Sequence, residues 1–138
     1  MSLEIKQRER EGILILDLKG RLTAGDECAS LRDKIVGLTS AGPTRAILNL
    51  AGVDYIDSTG LGTLVVCFTR VQKGGGHLKL LNLSRRNVEL LVLTKLTTVF
   101  EIFNDEQDAV NSFFPGRQLK RFDILSFVQE SKEAGGRG

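Results

Sequence analysis

The chain opens with hydrophobic and polar residues in alternation, the pattern of a β-strand. In the segment 13–18, Leu14, Leu16 and Leu18 lie on one face, and Asp17 lies on the other. A Glu11-Gly12 turn precedes this segment and follows a shorter apolar pair, Leu3 and Ile5. The pattern predicts a hairpin, and we expect its second strand to end at Gly20.

Two further segments follow with different periods. From Asp26, an expected N-cap, apolar residues return every three or four positions, which predicts an amphipathic helix. The side chains on its predicted buried face are Cys28, Leu31, Ile35 and Leu38. A Gly42-Pro43 break separates this helix from the compact apolar run at 45–50, which has the length of a buried strand.

A polar turn next connects an extended segment to a second helix. Asp57 and Ser58 follow the approach at 53–56, and apolar residues then recur at helical spacing until three glycines at 74–76. The apolar residues on that helical face are Leu61, Leu64, Val65 and Phe68. We therefore expect Asp57 to cap the helix and Ser58 to lie in its first turn.

Strands and helices continue to alternate as far as Phe114. The predicted elements are a strand at 77–82, a helix capped by Ser84 with Val88, Leu91 and Val92, a strand at 99–103, and a helix capped by Asp105 that extends through Phe113. Short connections between such elements favour crossover packing. We predict an α/β fold for residues 1–114, with a mixed, mainly parallel sheet of four or five strands and about four helices.

The chain then continues into a C-terminal extension, which we place at 115–133 and predict to be helical. Leu119, Phe122, Leu125 and Val128 have helical spacing there. This stripe packs either on its own domain or on a second copy or partner, and the second case predicts a homodimer through the extension. The glycine-rich tail at 134–138 is expected to be disordered.

Composition limits the kinds of partner. The 138 residues suit one soluble domain, and 19 basic against 17 acidic side chains leave a net charge of only +2. Two cysteines and one histidine form neither a disulfide framework nor a zinc-site pattern, so no metal or other cofactor is expected. No apolar run is long enough to span a bilayer. We expect a cytoplasmic protein that binds no nucleic acid and does not insert into a membrane.

Ser58 is the residue whose position suggests chemistry. The first N–H groups of a helix lack partners within it, and the positive end of its dipole tolerates negative charge. Glycines at 60 and 62 are expected to leave the turn open to close approach by another molecule. A phosphate on Ser58 would therefore leave the fold intact, yet would disrupt an interface packed over the same turn. We expect Thr59 to use its hydroxyl for hydrogen bonding in the first turn.

The chain resembles the STAS domain of bacterial anti-sigma-factor antagonists over about residues 3–114. The resemblance is carried by the runs at 47–50, 54–56, 57–62 (Asp-Ser-Thr-Gly-Leu-Gly) and 74–78. It implies that Ser58 is phosphorylated by an anti-sigma factor, a serine kinase with a histidine-kinase-like ATPase fold. It also implies that the unphosphorylated form binds this kinase and frees a sigma factor, and that a PP2C-type phosphatase restores that form.

The expected partner-binding residues lie on the motif and on one flanking loop: Thr23, Asp57, Ser58, Thr59, Gly60, Leu61 and Gly62. The flanking loop departs from the family pattern, since Gly20-Arg21-Leu22 is followed by Thr23 where many antagonists carry an acidic residue. The alternative function is a STAS module outside sigma-factor signalling, either the scaffold of a stress-signalling complex or the cytoplasmic subunit of a transporter.

Two catalytic interpretations lack necessary residues, so we expect no enzyme. The segment around Ser58 is one glycine short of a hydrolase nucleophile elbow, and no acidic residue lies between Thr59 and His77, the only histidine. The glycines at 60 and 62 fall short of a dinucleotide fingerprint, because Val65 replaces the third glycine.

Overall fold

Five strands form one mixed sheet in the computed structural model, which describes residues 3–120 and 122–128. The strands are β1 (Glu4–Arg10), β2 (Ile13–Leu22), β3 (Arg45–Ile56), β4 (His77–Leu81) and β5 (Ile102–Phe103). They lie side by side in chain order, with β1 antiparallel to β2 and every later pair parallel. The predicted mainly parallel sheet is confirmed.

Four α-helices connect the strands or follow β5 directly, and a fifth, short helix lies at 124–128 in the extension. The first four are α1 (Asp26–Thr39), α2 (Ser58–Lys73), α3 (Arg85–Leu93) and α4 (Glu106–Asn111), and a 3₁₀ turn lies at Leu96–Thr98. Three predicted caps are confirmed, because the side chains of Asp57, Ser84 and Asp105 accept N–H groups from the first turns of α2, α3 and α4.

The helices cover both faces of the sheet. α1, α2 and α3 bury their apolar sides on one face, where Leu31, Leu64 and Val88 are fully buried. α4 covers the other face and packs Ala109 and Val110 over Ile13 and Ile15 of β2. Ile13 and Ile15 lie on the same face of β2 as Asp17, so this face is apolar where α4 covers it. Strands of parallel sheets that are buried on both sides usually have two apolar faces.

Three predicted strand boundaries are wrong. The strand predicted at 45–50 does not end there but continues through the approach at 53–56 as the single strand β3. β2 continues past Gly20 to Leu22, because Gly20 adopts φ +122° and the ladder with β3 shifts its register there without ending. The strand predicted at 99–103 shrinks to the two residues of β5. Val99 and Phe100 donate their N–H groups to the carbonyl of Leu96, so these groups close a turn and are not free to pair with β4.

Asp26 does not cap α1. Gly25 occupies the N-cap position, with φ 107° and ψ −139°, and no side chain bonds to the first turn. A positive φ of this kind suits glycine, which places the entry to the helix one residue earlier than predicted. Asp26 becomes the first helical residue, where its charge still interacts favourably with the helix dipole.

The C-terminal extension is helical only at 124–128 within the described residues. Asp123 caps this turn by accepting the Ser126 N–H at 3.1 Å. The helix begins after Leu119 and Phe122, so the predicted stripe does not lie on one helix, and Leu125, predicted to face inward, is 72% exposed. The extension residues that pack on the core beside α1, α2 and α3 are Phe122, Ile124, Phe127 and Val128. The rest of the predicted helix to 133, and the tail at 134–138, lie outside the described residues.

An ionic network fastens α4 to the hairpin. Arg8 of β1 bonds to Asp17 at 2.7 Å and to Glu106 of α4, and Arg10 bonds to Glu106 at 2.6 Å. The hydrogen bonds from Arg8 lower the pKa of Asp17 and the pKa of Glu106 below their ordinary values. Both carboxylates therefore stabilise the folded state when they are ionised.

Replacement of Arg8 should reduce both stability and its pH dependence. We expect Arg8→Gln to lower the free energy of unfolding at pH 7 by about 1 kcal/mol, a small value because water screens these half-exposed pairs. Because folding lowers the pKa of Asp17 and Glu106, their ionised carboxylates stabilise the wild type above about pH 4, where carboxyl groups of the unfolded chain titrate. This stabilisation is lost as the pH falls through the lower pKa values of the folded state. Urea unfolding from pH 7 to pH 3 should therefore show a shallower decline for Arg8→Gln.

The control is Lys6→Gln, on the same strand. Lys6 is largely exposed, and its pairing with Glu4 at 3.7 Å is long. Lys6 faces Asp17 across the hairpin, and its charge is the smallest of the causes that lower the pKa of Asp17. Its replacement should therefore change the decline far less than Arg8→Gln, and identical pH profiles for the two variants would contradict the role assigned to Arg8.

Candidate functional site

Asp57 organises the junction between β3 and α2. Its backbone is extended, and its Oδ1 atom accepts the Gly60 N–H at 2.7 Å, which caps the helix. Its Oδ2 atom accepts the N–H of Ala24, in the loop before α1, at 3.0 Å. These two bonds lower the pKa of Asp57, so its carboxylate is ionised at neutral pH. One side chain thus holds two loops beside each other.

Gly60 is needed for this junction by the protein's own backbone. A Cβ atom at Gly60 would lie 2.0 Å from the carbonyl oxygen of Leu22, whereas one at Gly62 would meet nothing within 4 Å. The same Leu22 carbonyl accepts the N–H of Asp57 at 3.2 Å. The open side of Gly60 is therefore filled by β2, and Gly62 alone of the two leaves the helix surface open.

Ser58 is exposed as the first residue of α2. Within the described chain its hydroxyl makes no hydrogen bond, so its oxygen is accessible to another molecule. Thr59 is also exposed, and the hydrogen bond predicted for its hydroxyl does not form among the described residues. The Thr59 carbonyl instead accepts the hydroxyl of Thr63 at 3.0 Å. Thr23 is half-buried next to Ala24, and Leu61 is buried.

A groove of about 410 Å³ opens beside Ser58. One wall contains Tyr55 and Leu61, and the opposite wall is α3, with Arg86 and Leu90. The guanidinium of Arg86 lies over the Tyr55 ring, 5.1 Å from its centroid, and Leu93 at the far end is 81% exposed. The site predicted from the motif thus has a second wall.

Sequence reasoning missed α3 as part of the site. The clue lay in the apolar run at 90–93, which is hydrophobic around more than one face of the helix. Leu91 is buried, but Val92, predicted to pack inward, is 36% exposed. An excess of apolar residues on a short helix indicates a surface that the domain itself does not cover.

Comparisons with known proteins agree with this architecture. The STAS domain family model matches residues 4–109. The anti-sigma-B factor antagonist of Bacillus subtilis is 35% identical over 102 residues, which cover 74% of this chain and 92% of that protein. The chain therefore belongs to the STAS-domain family of anti-sigma-factor antagonists.

Solved structures share the fold at low sequence identity. An anti-sigma factor antagonist from Mycobacterium paratuberculosis matches with a TM-score of 0.70 and 17% identity over 80% of this chain and 92% of that chain. The anti-sigma factor antagonist SpoIIAA in its unphosphorylated form matches with a TM-score of 0.69 and 18% identity over 83% of this chain and 100% of that chain.

The two glycines of the motif provide a matched pair of variants. Gly60→Ala should destabilise the protein by about 2–4 kcal/mol, because the new methyl group clashes with the Leu22 carbonyl. Gly62→Ala, with open space at the same helix, should stabilise it by up to about 1 kcal/mol through helix propensity. Urea unfolding measures both changes, and equal effects at the two positions would refute the described contact.

Proposed function

We propose that this protein is an anti-sigma-factor antagonist whose binding is switched by phosphorylation of Ser58. The observation that carries the proposal is the exposed Ser58 hydroxyl at the start of α2, beside a carboxylate whose hydrogen bonds keep the turn in place. Further support comes from the B. subtilis relative, which bears the name of anti-sigma-B factor antagonist. The proposed role is binding, with no catalysis by this chain.

The proposed partner is an anti-sigma factor that is also a serine kinase. In the unphosphorylated state, this partner covers the turn at 57–62 together with Thr23 and thereby releases a sigma factor. For the switch, the Ser58 Oγ attacks the γ-phosphorus of ATP bound to the kinase, the bond from that phosphorus to ADP breaks, and the hydroxyl proton passes to a base of the kinase. A PP2C-type phosphatase then hydrolyses the ester and restores the hydroxyl.

Electrostatics explains why such a modification would separate the partners. A phosphate carries about −1.5 to −2 charges at neutral pH, and Asp57 adds a carboxylate that is ionised there. Water solvates both charges while Ser58 is exposed, so the domain stays folded. A partner packed over the turn would remove that water and leave the charges without compensation, which weakens binding by several kcal/mol.

The remaining partner predictions are part of the same proposal. None of the helices between residues 3 and 128 that the structure describes is long and apolar enough to cross a bilayer, and we place the protein in the cytoplasm. The homodimer through the extension stays a prediction. The described part of that segment packs on its own domain, and Leu125 is its exposed apolar side chain.

The first test is phosphorylation by a candidate anti-sigma factor kinase from the source genome. After incubation with ATP, the intact mass should increase by about 80 Da, the mass of one phosphoryl group. Ser58→Ala should abolish the increase, and Thr59→Ala, which removes the neighbouring exposed hydroxyl, should preserve it. An unchanged mass with every such kinase would instead favour the scaffold or transporter role.

The second test measures affinity for the same kinase by calorimetry. Ser58→Asp places a negative charge at the site, and we expect it to bind at least about 100-fold more weakly than Ser58→Ala, which corresponds to roughly 3 kcal/mol. Equal affinities of the two variants would show that charge at Ser58 does not control binding.

A further inference from the structure

Arg86 is the only cationic residue that lines the groove beside Ser58 in the described chain. It lies in the first turn of α3, where the helix dipole disfavours a positive charge. Within 3–120 and 122–128 it makes no ion pair, and its guanidinium lies over the ring of Tyr55. No charge partner in this described part of the chain explains its position.

The other charged groups of the groove are acidic. Asp57 lies on the wall that carries Ser58, and Glu89 lies on α3. The two oxygens of Asp57 already accept N–H groups from Gly60 and Ala24. A phosphate on Ser58 would therefore enter a groove with two carboxylates and one guanidinium, and the guanidinium is the group that can compensate it.

We propose that Arg86 binds the phosphate of phosphorylated Ser58. Its guanidinium would leave the Tyr55 ring and pair with the phosphate across the groove. A guanidinium matches phosphate oxygens with two parallel N–H donors, and this charge-assisted pairing is stronger than contact with an exposed ring. Arg86 is then the residue that distinguishes the modified from the unmodified groove. The inference rests on the proposed modification of Ser58 and identifies its partner within the same chain.

The pairing would also change the surface that a binding partner meets. In the unmodified protein, the Arg86 guanidinium on α3 lies over the Tyr55 ring of the opposite wall, and both residues line the groove beside Ser58. With the phosphate bound, the guanidinium spans the groove between α2 and α3 and closes its entrance. Phosphorylation then blocks the groove sterically in addition to adding charge.

The experiment uses the full chain with phosphoserine encoded genetically at position 58, so that no kinase is needed. The ³¹P NMR shift of the phosphoserine is followed through its second ionisation, near about pH 6 when the group is exposed. Arg86 should favour the dianion, so the wild-type midpoint should lie roughly half a pH unit below that of Arg86→Gln. Arg86→Lys, which keeps the cation but loses the two parallel donors, should recover only part of the difference.

Arg85→Gln is the matched control. Arg85 precedes Arg86 on α3 and is exposed, but it does not line the groove. Its variant should have the wild-type midpoint. Equal midpoints in Arg86→Gln and Arg85→Gln would overturn the proposal, because a general effect of positive charge on α3 would account for the titration.

Tyrosine fluorescence gives a second readout. Tyr55 is the one tyrosine of the chain, and tryptophan is absent from the sequence. Phosphoserine should change its emission in the wild type and in Arg85→Gln, but not in Arg86→Gln, and the same change in all three would also overturn the proposal. Since the phosphate is installed without a kinase, these results are independent of whether a kinase recognises Ser58.

Discussion

The candidate site depends on one carboxylate that two backbone N–H groups share. Asp57 follows β3 and caps α2, and its bonds to Gly60 and Ala24 fix the start of α2 against the loop that follows β2. The carbonyl of Leu22 approaches Gly60 so closely that only glycine fits. Ser58 lies between these fixed points and is exposed, so a modification at its hydroxyl acts on whatever approaches from outside and leaves the core unchanged.

The sheet provides the rigid support for this arrangement. Apolar layers cover both of its faces, and the parallel pairing of β2 with β3 brings the ends of these strands together at one edge. Loops that leave the same ends of neighbouring strands meet there, which is a usual place for binding sites in α/β folds. The groove then arises because α3 packs its buried side on the sheet and leaves Leu93 exposed.

Local patterns allowed much of this to be predicted from the sequence. The caps at Asp57, Ser84 and Asp105 were recognisable because each bond spans only three residues. The bond from Ala24 to Asp57 joins residues 33 positions apart and was not predictable, since it depends on strand pairing. The inward face of the extension was misplaced because the predicted stripe began at Leu119, whereas the helix begins at Ile124 and packs Ile124, Phe127 and Val128 on the core.

The two margins of the sheet differ in how they resist unwanted strand addition. Beside β5, the extension places Leu119, Phe122 and Ile124 across a cleft of about 270 Å³, so a foreign strand meets bulky side chains there. Among residues 3–120 and 122–128 no extension segment covers β1, but its side chains include two arginines, a lysine and two glutamates within seven residues. A second copy that paired its β1 with this edge would bring its own charged side chains close to those of the first. This arrangement disfavours fibrous aggregation of the folded protein.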